Sequence, residues 1–146
     1  LICNSSVPFL LTGGWIVTLI SLLYVDIHWQ FFLLYEYHLP LLITENGFGN
    51  KETWPEEGIL QDDDRIDFLT RHLHNVKEAM NLGVEFIGYC IWSFTDIVSG
   101  HSGFSKRYGF VYVNRTEHDL RDLARRKKKS FYWYKKVIAT NGADLS

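Results

Sequence analysis

Apolar residues fill Leu39 to Ile43, and the run ends on Thr44-Glu45-Asn46-Gly47. A short stretch without polar alternation reads as a strand buried on both faces, as in a parallel sheet. Lys51 to Asp62 is polar, holds Pro55 and Gly58, and reads as a loop. Asp62-Asp63-Asp64 then supplies an N-cap and first-turn acids for a helix, in which Ile66, Leu69, Leu73, Val76 and Met80 recur at helical spacing. Gly83 stops it, and Val84 to Trp92 reads as the next buried strand. Strand, helix and strand make one βαβ unit, for which a right-handed crossover is expected. Phe110 to Val113 suggests a short strand, and Ser130 to Thr140 a terminal helix carrying Phe131, Tyr134, Val137 and Ile138 and stopped at Asn141-Gly142.

In parallel β/α architectures chemistry sits at the carboxyl ends of the strands, and that is where Glu45 stands. Taken alone, Glu45 reads as an ordinary acid at the mouth of a loop.

The first 36 residues do not share this regularity. Val7 to Val25 is 19 residues without a charge, close to the length of a membrane span. Against that reading, no Lys or Arg flanks the run, it holds Pro8, Gly13 and Gly14, and no basic segment precedes it. Residues 1–36 are therefore set apart as an atypical apolar segment.

Length and charge narrow the function. The 146 residues suffice for one sizeable core. A net charge of −2, from 15 basic and 17 acidic residues, gives no global field for nucleic acid. Arg125 to Lys129 is a run of five basic residues and is expected to be a solvated loop and helix start. Cys3 and Cys90 lack metal-site spacing and fit a reducing, cytoplasmic setting. His72 and His74 fall on different helix faces and read as surface or packing residues.

Four segments occur in order: ITENGFG from Ile43, GYCIWSFTDIVSG from Gly88, SKRYGFVYVNR from Ser105, and RKKKSFYWYKKVIATNG from Arg126. Together they resemble the C-terminal part of glycoside hydrolase family 1, and within it most the 6-phospho-β-glucosidases. The resemblance implies a (β/α)8 TIM barrel, α/β in class. Such a barrel needs about 250 residues, so this chain would supply only its last two strands and their helices, an incomplete barrel. Residues 37–146 would be the C-terminal part of the catalytic domain, and residues 1–36 a diverged or frame-disturbed barrel helix. A start at Leu1 without Met fits upstream truncation.

Roles follow from the resemblance position by position. Glu45 matches the nucleophile of a retaining glycosidase, which works with a second carboxyl group about 5–5.5 Å away. The family's acid/base Glu lies in an Asn-Glu-Pro motif that is absent from this chain. Without that proton donor, alone worth roughly 10²–10⁴-fold, the isolated chain is expected to be inactive. Trp92 matches the Trp on which the sugar ring stacks, although a core role is the competing reading. Family members acting on unphosphorylated sugars carry a Glu seven residues beyond that Trp, where this chain has Ser99. Ser99, Lys106 and Tyr108 then offer hydroxyl, ammonium and phenol donors to a sugar 6-phosphate. As a bare pattern they read as a polar loop before a short strand. Arg107 would help hold either the loop or the anion.

Gly100, where phospho-galactosidase relatives carry Trp, tilts the reading from galacto- to gluco-substrates. The expected reaction is hydrolysis of 6-phospho-β-glucosides, phosphorylated disaccharides included, without cofactor or metal. Two alternatives stand beside it: a phosphosugar-binding or complementation module whose partner is an N-terminal barrel fragment, and 6-phospho-β-galactosidase specificity.

Overall fold

The computed structural model describes residues 17–20, 40–100 and 102–146. The chain divides into two compact units. The first comprises the described residues up to Asn46 together with His72–Ile91; the second comprises Gly47–Arg71 and Trp92–Ser146.

The first unit is built on a parallel sheet of β1 (Val17–Ile20), β2 (Leu41–Asn46) and β3 (Phe86–Ile91), in that order. Leu41 and Ile43 are buried, as the apolar run predicts. Leu41 pairs with Phe86 and Leu42 with Gly88, and a Leu42 methyl occupies the space that a Cβ on residue 88 would need. Between β2 and β3 runs α1 (Asp63–Asn81), whose residues from His72 onward belong to this unit.

Three expectations change here. β1 is a third parallel strand beside the two predicted, and it falls within residues 1–36, where a helix was expected. The rest of that segment, including the remainder of the apolar run Val7 to Val25, lies outside the described residues. β3 is not buried on both faces, since Ile87 is 50% exposed. It is an edge strand among the described residues, which leaves one side uncovered. Met80 is likewise 49% exposed, and Ala79 takes the buried position in that turn of α1. Among the described residues no helix is long and apolar enough to cross a membrane.

The second unit pairs β4 (Val111–Val113) antiparallel with β5 (Arg125–Lys127) and continues into α2 (Lys129–Ala139). Every residue of β4 is buried and every residue of β5 exposed. Trp133 and Val137 turn inward from α2, and the Trp133 indole N–H donates to the Leu145 carbonyl at 3.1 Å. Phe110 stacks on Tyr134 with ring centroids 4.8 Å apart. Beyond the helix, Asn141 and Gly142 adopt φ of 49° and 75°, and the Gly142 N–H returns to the Val137 carbonyl at 2.8 Å. This is the left-handed termination that Asn-Gly predicts.

Candidate active site

Glu45 is the penultimate residue of β2 and is half-buried. Period-two alternation would place it with Leu41 and Ile43, yet Asn46 is the buried residue at this end. The pairing of β2 with β3 shifts register between Ile43 and Asn46, which breaks the alternation. Asn46 turns inward, and its Oδ1 accepts the Tyr89 hydroxyl at 2.7 Å. The strand end that carries Glu45 is thereby tied to β3.

Gly47 and Gly49 follow, in the second unit. A Cβ on residue 47 would collide with the backbone carbonyl of Trp92, and one on residue 49 would enter the Tyr108 ring. Only glycine lets the chain pass both. The turn beyond Glu45 therefore rests against two of the predicted substrate residues, Trp92 and Tyr108. Trp92 is half-buried, and its peptide bond to Ser93 is cis.

Ser99 is half-buried and sits in a tight loop, with Ser99 N–H to Gly103 carbonyl at 2.7 Å and the reverse bond at 2.9 Å. Gly103 has φ of 54°, and the Glu117 carboxylate packs against it while accepting the Phe104 N–H. Next comes Lys106, exposed, then Arg107, buried, then Tyr108, half-buried. This stretch is bridged to the other strand-end turn, with Arg107 N–H to Asn50 carbonyl at 2.8 Å and Asn50 N–H to Arg107 carbonyl at 3.1 Å.

The direction of Arg107 is thus settled in favour of the loop. Its Nη1 donates to Asp96 Oδ2 at 3.0 Å and the Val113 carbonyl at 2.9 Å, its Nη2 to the Arg115 carbonyl at 2.6 Å, and its Nε to the Glu52 carbonyl at 3.2 Å. The guanidinium also lies over the Tyr112 ring, 4.0 Å from its centroid.

Around Arg107 is a buried ion network that the sequence reading missed. Lys128 Nζ donates to Glu52 at 2.6 Å and Asp96 at 2.8 Å; Arg65 donates to Glu52 at 2.5 Å, to Asp62, and to the Arg107 carbonyl at 2.8 Å. The expected solvation of Arg125 to Lys129 is thereby corrected, because Lys128 is 0% exposed. Burial holds its ammonium below the usual lysine range, and the nearby Arg65 charge lowers it further; Asp96 and Glu52 oppose both without overcoming them.

Asp62 also departs from its expected role. Its carboxylate accepts the Ser130 N–H at 2.9 Å and the Ser130 hydroxyl at 2.5 Å, so its side chain serves the first turn of α2. One signal of the network was present in the sequence: Asp96 stands among Trp, Phe, Ile and Val, where a carboxylate demands a partner. Among the described residues, no three of His, Cys, Asp and Glu are grouped to hold a metal ion.

The profile of glycosyl hydrolase family 1 matches residues 14–143. The chain belongs to that family. Among similar family 1 proteins is the aryl-phospho-beta-D-glucosidase BglC of Bacillus subtilis, 57% identical over 109 residues that make up 75% of this chain and 23% of the relative. The phospho-cellobiase of Klebsiella oxytoca is 50% identical over 110 residues, 75% of this chain and 24% of that protein. In structure, the chain is similar to the family 1 β-glucosidase of Thermotoga maritima, with a TM-score of 0.71 and 35% identity over 81% of this chain and 26% of that one. The chain spans about a quarter of the length of the curated relatives it matches, and so carries part of a family 1 TIM barrel.

Proposed function

We propose that this chain is the carboxyl-terminal portion of a retaining β-glycosidase that hydrolyses 6-phospho-β-glucosides in the cytoplasm. In this reading β2 and β3 are the seventh and eighth barrel strands, and β1 the one before them. Glu45 is the nucleophile that attacks the anomeric carbon, Trp92 stacks on the sugar, and Ser99, Lys106 and Tyr108 take the 6-phosphate. The observation that carries the reading is the 57% identity to a protein named aryl-phospho-beta-D-glucosidase, over a span that includes all five residues' motifs.

Chemistry supports the same assignment. A carboxylate at position 99 would repel a phosphate dianion, whereas a hydroxyl donates to it. Lys106 is exposed and so has its ammonium available to an anion as a point charge. Glu45 supplies one of the two carboxyl groups the mechanism requires, and the proton donor must come from elsewhere in the barrel. Turnover therefore depends on the remaining barrel strands and an Asn-Glu-Pro motif, which a second polypeptide can supply in trans.

Co-expression of the chain with such a polypeptide tests this. Hydrolysis of 4-nitrophenyl β-glucoside 6-phosphate is expected from the pair, none from the chain alone, and none from the pair carrying Glu45→Gln. Equal activity of the Glu45→Gln pair would remove Glu45 from the nucleophile role. A pair that prefers the 6-phosphogalactoside would replace gluco- by galacto-specificity.

A further inference from the structure

We infer that Arg107 is a positioning residue for the phosphate subsite, holding its two neighbours Lys106 and Tyr108 where they can meet the anion while making no contact with it. The inference rests on the assignment of Ser99, Lys106 and Tyr108 proposed above.

Four partners occupy the guanidinium: Asp96 Oδ2 and the carbonyls of Val113, Arg115 and Glu52. Its charge is matched by Asp96 inside the protein, at 3.0 Å, with both side chains buried. Four of its five N–H donors are spent inside the protein and the side chain is buried, so it is directed to the loop and not to a ligand. It fixes its own backbone instead. The Arg107 N–H and carbonyl are both bonded to Asn50, and the carbonyl also accepts Arg65 Nη2 at 2.8 Å.

Arg107 turns inward at an isolated bridge to Asn50, and its two neighbours are less buried than it is. Lys106 is exposed, and Tyr108 lies against Gly49. The next residue is fixed too, with the Gly109 N–H donating to Asp96 Oδ1 at 3.0 Å. Asp96 thus holds the Lys106–Tyr108 stretch at its middle, through Arg107, and just beyond Tyr108, through Gly109. A lysine at 107 would keep the charge but lose the planar fork that reaches four acceptors in three directions.

The test titrates the ¹⁵N-labelled 146-residue chain with glucose 6-phosphate and with glucose, following amide shifts. For the native sequence, tighter binding of the phosphorylated sugar is expected. In Arg107→Lys the preference should fall about tenfold, with glucose binding unchanged, as for the loss of a well-aimed charge-assisted contact. A residue with only a structural role would shift both sugars alike.

Native binding without any preference for the phosphate would overturn both the subsite assignment and this inference. A native preference that survives intact in Arg107→Lys would overturn this inference and leave the assignment standing. Should Arg107→Lys lose its amide dispersion, amide exchange of the native chain decides in its place. That reading is independent of any variant: the Arg107 and Gly109 N–H groups should be among the slowest to exchange, and rapid exchange at both would sink the clamp.

Discussion

Lys128 Nζ lies 2.8 Å from Asp96 Oδ1, and neither side chain has any exposure to solvent. An ion pair this deep has already lost its hydration, so its worth depends on every remaining donor and acceptor finding a partner. Asp96 meets that condition with Lys128, Arg107 and the Gly109 and Val113 N–H groups.

Removing one partner should therefore be severe. Lys128→Met leaves Glu52 and Asp96 without their shared cation and is expected to destabilise the chain by about 3–5 kcal/mol. Arg125→Met, in the same basic run but exposed, should change stability by less than about 0.5 kcal/mol. Urea unfolding of the two variants beside the parent checks the contrast, and equal effects would contradict the burial of Lys128.

Lys128 also predicts a pH dependence. Its proton is held less tightly in the folded than in the unfolded chain, because burial and the Arg65 charge outweigh Asp96 and Glu52. The stability linked to it is present above the ordinary lysine value of 10.5 and is lost as pH falls through the lowered folded value. Just below pH 10.5 the unfolding free energy of the native chain should rise with pH relative to that of Lys128→Met. Denaturant titrations at a series of alkaline pH values would show it, and a falling difference would reverse the sign.

Glycine substitutions separate required from permissive positions. Gly47→Ala places a Cβ against the Trp92 backbone carbonyl, which cannot swing aside as a side chain could. A loss of about 1–3 kcal/mol is expected, as for overpacking elsewhere. Gly100→Ala meets nothing within 4 Å and should leave stability within about 0.5 kcal/mol of the parent. Thermal unfolding of both variants decides.

Substrate class should turn on position 99. With the complementing barrel polypeptide present, Ser99→Glu is expected to raise KM for a 6-phosphoglucoside by about tenfold or more through Coulomb repulsion. The unphosphorylated glucoside should be spared or improved. Parallel losses on both substrates would argue that the loop itself had been disturbed.

Periodicity made β2, α1, β3 and α2 legible, because each is read from residues within a few positions of one another. β1 was not: Val17–Ile20 sits within a run of 19 uncharged residues that sets no boundary to a strand. β5 was hidden for the opposite reason, since Arg125–Lys127 is entirely basic and becomes a strand through its backbone pairing with Val111–Val113. The candidate site was legible through the order of its motifs. The inward turn of Arg107 and the burial of Lys128 were not, because they depend on partners distant in sequence, such as Glu52 and Asp96, 76 and 32 positions before Lys128.

Those separations bear on when the second unit can assemble during synthesis. Closing loops of 76, 68 and 32 residues, from Lys128 to Glu52, Ser130 to Asp62 and Lys128 to Asp96, requires the chain through Ser130 to have left the ribosome. Until then Glu52, Asp62 and Asp96 lack the groups that join them to α2, and the loop bearing Ser99, Lys106 and Tyr108 has no finished floor. Lys128 and Ser130 thus act as the keystone of the unit, locking segments made much earlier.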